Sequence, residues 1–522
     1  MGRAPAATAL LLALLPPRFA DSAFLDFGEA FVFGTAQDSY QFEGSLTADG
    51  AGLSQTHVWC AWELGQPQPP VGGWHLCGDV GAGFYAHALE DVALAASLGQ
   101  KHINIQISWA RVMPDGVRVN GAALDWYVRL VDAYLAAGIE PWVSLEVFDY
   151  PQALAAACGG WVGRPMVGYF RAFAAAVFAR LAGRVTHWFS FHEPNSVCTS
   201  YAQGGRFVGP RPNANDTTVP DGARDHYNCV YFMMLAHGEV AALLRAAAPG
   251  ASLSIISDAA WLEPNTTSAA DVAASERNLI WHLGAYFEPL ITGDWPPEMR
   301  LSDPAGARLP FFTPAESAML RNSTRFLGLN FYTTVLVAAA APFPCPRDNY
   351  TGRNAFADDQ CLLEFCAPDP RCPPAPNPAL GWLHFQPDGL RKVLRWLAAR
   401  YPGTPLLIAE NGIGLDGGSG GDPFSSGQLD VDVHDAQKVD ILKGYWTQAW
   451  LALTQDGVDL HGIFLWSFLD NLEWAAGYAA HFGVVHVNHS RADLQRTPKD
   501  SAFWFRDVVR NHGFEAGNAT AG

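Results

Sequence analysis

Val185-Thr186-His187-Trp188-Phe189-Ser190-Phe191-His192-Glu193-Pro194-Asn195 is a short apolar run that stops at a carboxylate followed by proline. A run of that length, bounded by polar and turn residues, reads as a buried strand from Val185 to Phe191 with Glu193 just beyond its end. Farther along, Pro405 to Ala409 reads the same way and delivers Glu410 within Ile408-Ala409-Glu410-Asn411-Gly412. Six more runs of this kind lie around them: Ala30 to Thr35, His102 to Ser108, Pro141 to Leu145, Ser252 to Ser257, Phe326 to Asn330 and Leu460 to Trp466. Between the runs, apolar residues recur at three- and four-residue spacing over Tyr85 to Leu98, Leu124 to Ala136, Pro165 to Leu181, Tyr227 to Ala247, Asn278 to Leu290, Pro387 to Arg400 and Ala436 to Gln455, with a short helix near Pro314. Pro165, Pro314 and Pro387 suit helix starts, where a missing N–H costs little. Eight strand-helix alternations predict an α/β fold, a single (β/α)8 TIM barrel with long βα loops, and no GxGxxG follows the first strand to suggest a doubly wound sheet.

Chemistry in such a barrel gathers at the C-terminal ends of the strands, so Glu193 and Glu410 are expected to face one pocket. Two carboxyl groups on either side of a glycosidic bond can hydrolyse it, one giving a proton to the leaving oxygen and the other attacking the anomeric carbon. Composition agrees with a neutral, sugar-like partner. Lys+Arg 33 against Asp+Glu 51 gives a formal charge of −18, which repels nucleic acid and anionic lipid. Eighteen tryptophans offer indole faces for pyranose rings, although most tryptophan in any protein packs in the core.

Arg3, the apolar stretch Ala9 to Leu15 and the small residues around Ser22 read as a signal peptide over 1–22, leaving 23–522 as one catalytic domain in a secreted or lumenal protein. Sequons at Asn215, Asn265, Asn322, Asn349, Asn488 and Asn518 fit that route, and no later segment looks long and apolar enough for a membrane anchor. Nine cysteines fit an oxidising compartment; Cys345, Cys361, Cys366 and Cys372 are expected to pair within one Pro-rich loop, and the odd total leaves at least one thiol. The cysteine spacing is not that of a zinc site and no HExxH or EF-hand string occurs, so neither a metal nor another cofactor is expected.

Several motifs in order carry a resemblance. They are Phe33-Gly34-Thr35-Ala36, Gln41-Phe42-Glu43-Gly44, Ser108-Trp109-Ala110-Arg111-Val112-Met113-Pro114, Asp149-Tyr150-Pro151-Gln152-Ala153-Leu154 and Gly159-Gly160-Trp161. The two glutamate strings, Gly328-Leu329-Asn330-Phe331-Tyr332 and Trp466-Ser467-Phe468-Leu469-Asp470-Asn471-Leu472-Glu473-Trp474 complete the set. Over about residues 28–512 the chain resembles glycoside hydrolase family 1, which includes β-glucosidases, lactase, myrosinases and Klotho-like proteins. The resemblance implies a retaining β-glycosidase acting on terminal non-reducing β-glucosyl residues, with Glu193 as acid/base and Glu410 as nucleophile. It also implies that Tyr332 holds the nucleophile, that Gln41 and Glu473 bind sugar hydroxyls, that Trp466 is a stacking platform, and that Trp474 and Phe482 line the pocket.

Three positions depart from the family's pattern. Val147-Phe148 stands where the family has His-Trp, His192 stands where it has an asparagine that meets the sugar 2-hydroxyl, and Asn104 stands where it has an arginine near the nucleophile. These changes remove a donor, place the sugar contact of His192 in question and take a positive charge from beside Glu410. Glu146 has no counterpart in the pattern; it is expected either to bond the sugar or His192, or to be a solvated strand-end acid. Two alternatives therefore stand beside the hydrolase: a transglycosylase using the same glutamates, and a carbohydrate-binding or receptor-like pseudoenzyme.

Overall fold

The computed structural model describes residues 23–64, 77–203, 222–346, 355–366, 369–373, 377–416 and 433–516. The eight expected strands are β1 Val32–Gln37, β2 His102–Gln106, β3 Glu140–Glu146, β4 His187–His192, β5 Ser252–Asp258, β6 Leu327–Asn330, β7 Leu406–Asn411 and β8 Leu460–Leu465. They form a closed barrel in chain order, every neighbour parallel, with Gly462 opposite Val32 across β8–β1 and Leu407 opposite Gly328 across β7–β6. Both faces of these strands are covered, which is why they read as apolar runs without alternation.

Aromatic rings plug the barrel interior: Trp142 meets Phe464 at 5.3 Å and Phe189 at 6.1 Å, and Phe189 meets Phe326 at 5.5 Å. Gly34 makes room for this plug, because a Cβ there would lie 2.5 Å from the Phe464 ring.

The principal helices outside the barrel follow the apolar spacing. They are α1 Phe84–Ser97, α2 Gly121–Ala136, α3 Pro165–Leu181, α4 Gly222–Ala247, α5 Ala269–Leu279, α6 Pro314–Leu320, α7 Asp388–Arg400 and α8 Ala436–Thr454. In α2 the Asn120 side chain accepts from the Ala123 N–H, and Leu124, Tyr127, Leu130, Val131 and Tyr134 face the strands. Pro165 occupies the first turn of α3, and Pro314 the first turn of α6 inside a Thr313–Glu316 capping box.

One helix departs further than the others from its expected bounds. The stretch expected over Asn278 to Leu290 begins at Ala269, widens into a π-turn at Ile280–Gly284 and resumes as Ala285–Thr292. Pro289, which cannot return an N–H to Ala285, lies in the turn after the widened segment. A second difference concerns α4: Arg224–Ala247 is long and apolar enough to cross a membrane, contrary to expectation, but two-thirds of its apolar window is buried in the protein. It is a core helix packed on α3 and its neighbours.

Short elements that were not expected decorate the barrel. Trp261–Pro264, Thr334–Ala339 and Leu362–Phe365 make a three-stranded sheet, and Phe24–Asp26 pairs with Gly513–Glu515 to bring the two ends of the described chain together. Disulfides join Cys60–Cys77, Cys198–Cys229, Cys345–Cys361 and Cys366–Cys372, and Cys158 is a free thiol. The leader over 1–22 and the sequons at Asn215, Asn349 and Asn518 lie outside the described residues. Of the other sequons, Asn322 is exposed, and Asn265 and Asn488 are half-buried.

Candidate active site

Strand ends set the two glutamates. β4 finishes at His192, and the Glu193 N–H reaches across to the carbonyl of Ile256 in β5 at 2.8 Å. Glu193 holds a left-handed backbone, φ 49°, which an L-residue adopts at a cost, before Pro194 opens the next helix. Glu410 is the penultimate residue of β7 and does not lie past its end, where the sequence predicts it. Behind it Asn411 donates to the Phe331 carbonyl at 2.8 Å and accepts from the Trp446 indole at 3.1 Å. Gly412 follows because a Cβ there would meet the Trp466 carbonyl oxygen at 2.0 Å.

All nine residues singled out from sequence line one cavity of about 410 Å³ at this end of the barrel. Glu193 and Glu410 face it together with Gln41, His192, Tyr332, Trp466, Glu473, Trp474 and Phe482. The Tyr332 hydroxyl donates to Glu410 Oε2 at 2.6 Å, and His192 Nε2 lies 2.7 Å from Glu410 Oε1. Asn330 Nδ2 donates to Glu193 Oε1 at 2.8 Å and sits 2.8 Å from His192 Nε2, so a short chain of polar contacts joins the two glutamates. The wall opposite is aromatic. Trp474 stacks on Tyr40 at 6.1 Å and meets Phe148 edge-on at 5.3 Å, while Trp466 is packed edge-on against Phe42 at 5.6 Å. Gln41 is held from behind by its donor bonds to the Leu472 carbonyl at 2.8 Å and Asn471 at 3.2 Å.

Most of the tryptophans serve the core. Trp109, Trp161, Trp188, Trp281 and Trp446 are wholly buried, whereas Trp382, Trp466 and Trp474 face the cavity.

The electrostatics separate the groups. Burial pushes the Glu193 carboxyl well above the usual range, and the negative charges of Asp258 and Glu410 add to the shift against His192 and the Asn330 bond. Asp258 is pushed up to about 6, chiefly by burial. Burial disfavours the His192 imidazolium, yet Glu410, Asp38 and Glu193 outweigh it and raise the group to about 9. Asp38, whose Oδ1 lies 3.9 Å from His192 Nδ1, is itself raised by burial.

The three departures from the family pattern separate in space. Among the described residues, His192 lines the cavity, while Asn104 and Val147 do not. Asn104 is buried within β2 and accepts from the Ser144 hydroxyl at 3.1 Å; the Val147 carbonyl accepts from Gln106 at 3.1 Å. The expectation for Glu146 is corrected on both counts. It is fully buried, makes no hydrogen bond with His192 and does not line the cavity; burial raises its carboxyl well above the usual range, favouring its neutral form.

Among the cavity residues that escaped notice in the sequence are Asp38, Asn330, Asp258 and Trp382. Asn330 stood inside a motif quoted for other residues, and Asp38 follows the Phe33-Gly34-Thr35-Ala36 string by two positions. Asp258 closes β5 as Glu193 follows β4, a strand-end acid in the same frame. Trp382 comes from a loop with no local signature.

Two groups of side chains have ligand atoms within 4.8 Å of one another, a spacing that a cation could bridge: Asp38, His192 and Glu410, and Asp470, His481 and His486. The second already has a cation in the Lys499 ammonium, 2.8 Å from Asp470 Oδ1. In the first, the short His192–Glu410 contact occupies the imidazole nitrogen nearest the carboxylate.

Comparison with known proteins matches this arrangement. The profile of glycosyl hydrolase family 1 matches residues 25–514. Beta-glucosidase 42 of Arabidopsis thaliana is 34% identical over 491 residues, covering 93% of this chain and 94% of that protein. The rice β-glucosidase Os3BGlu6 superposes with a TM-score of 0.81 at 31% identity, over 92% of this chain and 98% of that one. A family 1 β-glucosidase from Thermotoga maritima gives 0.78 at 29% identity, over 94% and 99%. The strand-end glutamates, the aromatic wall and the closed parallel barrel thus occur in a chain that belongs to glycosyl hydrolase family 1.

Proposed function

We infer that this protein is a retaining β-glycosidase that removes terminal non-reducing β-glucosyl residues. The observation that carries the reading is the opposite provision made for two glutamates in one cavity: Glu193 is held toward its protonated form, and Glu410 accepts hydrogen bonds from Tyr332 and His192. In the first step Glu193 gives its proton to the glycosidic oxygen while a Glu410 oxygen bonds to the anomeric carbon and the aglycone leaves. In the second, the ionised Glu193 takes a proton from water, which displaces Glu410 and restores the starting anomer. Gln41 and Glu473 offer amide and carboxylate partners for sugar hydroxyls, and Trp466, Trp474 and Phe482 offer ring faces and edges for the apolar side of the pyranose. The four disulfides support a secreted or lumenal location.

An aryl β-glucoside followed by proton NMR tests this directly. The first sugar released is expected to be the β-anomer, and Glu193→Gln is expected to turn over slowly unless azide is added, which attacks the glycosyl-enzyme without a base and leaves as the β-glucosyl azide. First release of the α-anomer, or unchanged turnover in Glu193→Gln, would overturn the assignment.

A further inference from the structure

His192 is the one basic side chain facing this cavity among the described residues, and it meets a strong excess of acid. Asp38, Glu193, Asp258, Glu410 and Glu473 line the same cavity, with no lysine or arginine among the described residues there. Resting on the glycosidase reading above, we propose that His192 is a positioning residue for the nucleophile: an imidazolium set between Asp38 and Glu410 that holds the attacking carboxylate in place and supplies the positive charge that β2 lacks at Asn104.

The geometry supports this in three ways. His192 Nε2 lies 2.7 Å from Glu410 Oε1, a charge-assisted distance, while Tyr332 takes Oε2; the carboxylate is gripped from both sides. His192 Nδ1 is buried without a hydrogen-bond partner, and the nearest acid on that side is Asp38 at 3.9 Å, so an N–H there faces a carboxyl group that favours the imidazolium once ionised. Finally, Nε2 cannot donate to Glu410 and accept from Asn330 at once. With Nε2–H given to the carboxylate, Asn330 turns its amide to present Oδ1, the atom that otherwise has no partner. Oδ1 then accepts from the protonated Glu193 and takes the second arm of a bifurcated bond from the His192 Nε2–H, which makes the resting states of acid and imidazolium mutually consistent.

The titratable groups facing His192 are Asp38 after β1, Glu146 at the end of β3, its neighbour Glu193 and Glu410 on β7. Behind these, Asp149 acts on Asp38 and Glu146, Asp258 acts on Glu193, and Tyr332 acts on Glu410. All are acids or a phenol and none is a cation, so whichever of them is ionised favours the imidazolium.

The test is the rate of inactivation by 2,4-dinitrophenyl 2-deoxy-2-fluoro-β-glucoside. In this reaction the Glu410–carbon bond forms and dinitrophenolate departs with its electron pair, needing no proton from Glu193. The saturating rate in the unaltered protein is expected to fall as pH rises through about 9, where His192 loses its proton. His192→Asn should lower the plateau by about 10²- to 10³-fold and lack that alkaline limb. Asp38→Asn removes an anion that favours the imidazolium, and should move the limb to lower pH without abolishing it. A limb that persists in His192→Asn, or disappears in Asp38→Asn, would overturn the proposal. Should His192→Asn not fold, nitrogen-15 NMR of histidine-labelled unaltered protein decides: both His192 nitrogens protonated at pH 7 supports the proposal, and a neutral ring overturns it. If the unaltered protein forms no adduct at all while its His192 is doubly protonated, the glycosidase reading fails and not the protonation.

Discussion

Two buried acid clusters share the loop that runs from Trp466 to Phe482, and they behave in opposite ways. Asp470, at the middle of that loop, is as deeply buried as Glu410, yet it lies well below the usual carboxylate range. Burial would raise it; the Lys499 ammonium at 2.8 Å and the imidazoles of His481 and His486 overcome that. Lys438 completes this cluster by donating to the carbonyls of His481, Phe482 and Gly483. Across the cavity wall, Glu193, Asp38 and Asp258 are all pushed up, with His192 as the basic group beside them. Depth is equal in the two places, so the count of cations per carboxylate decides the sign. One cluster is neutralised and anchors the loop; the other keeps an excess of acid, and that excess favours a protonated carboxyl at Glu193 beside Glu410.

The sharpest break comes from Glu410→Gln, which should lower glycoside turnover by about 10⁴-fold or more while leaving thermal unfolding near its original midpoint. Lys499→Met attacks the other cluster. It leaves Asp470 buried without its ammonium and should cost about 3–5 kcal/mol of stability, read as a lowered midpoint in denaturant. Because Trp466 and Glu473 ride on the same loop, turnover should fall along with it.

Tyr332→Phe removes one of the bonds to Glu410 and should reduce the glycosylation rate by about 10- to 100-fold, with stability little changed.

The pH dependences have opposite signs. Asp470 is depressed in the folded state, so its contribution to stability is present above its unfolded value and is lost as pH falls through its folded one. Glu193 is raised, so the folded state favours its protonated form below the unfolded value and loses that advantage as pH rises through the folded one. In His192→Asn, where no imidazole limb intervenes, hydrolysis of alkyl glucosides, which needs the proton, should therefore decline along the same rising limb, and dinitrophenyl glucoside should escape it. Matching limbs for both substrates would show that the acid is not Glu193.

Much of the framework was legible because its physics is local. Each barrel strand is a short apolar run closed by polar residues, and β4, β5, β6 and β7 carry one of their last two positions into the cavity, with Glu193 one residue past β4, so Glu193 and Glu410 could be found without coordinates. The outer sheet of Trp261–Pro264, Thr334–Ala339 and Leu362–Phe365 was not legible, since its strands are brief and gain their partners from distant turns. The three departures were the hardest to read. His192 looks in sequence like a lost sugar contact and Asn104 like a lost charge; only the structure shows His192 against Glu410 and Asn104 bonded to Ser144 inside the barrel. Val147 lies off the cavity wall, where Phe148, with its left-handed backbone at φ 60°, faces the space instead.

The most direct single measurement is intact-protein mass after incubation with a 2-deoxy-2-fluoro β-glucoside bearing a good leaving group, followed by peptide mapping. One fluoroglucosyl unit bound to the peptide that contains Glu410 is expected. An unmodified, folded protein after prolonged incubation, or an adduct on any other side chain, would contradict a double displacement through Glu410.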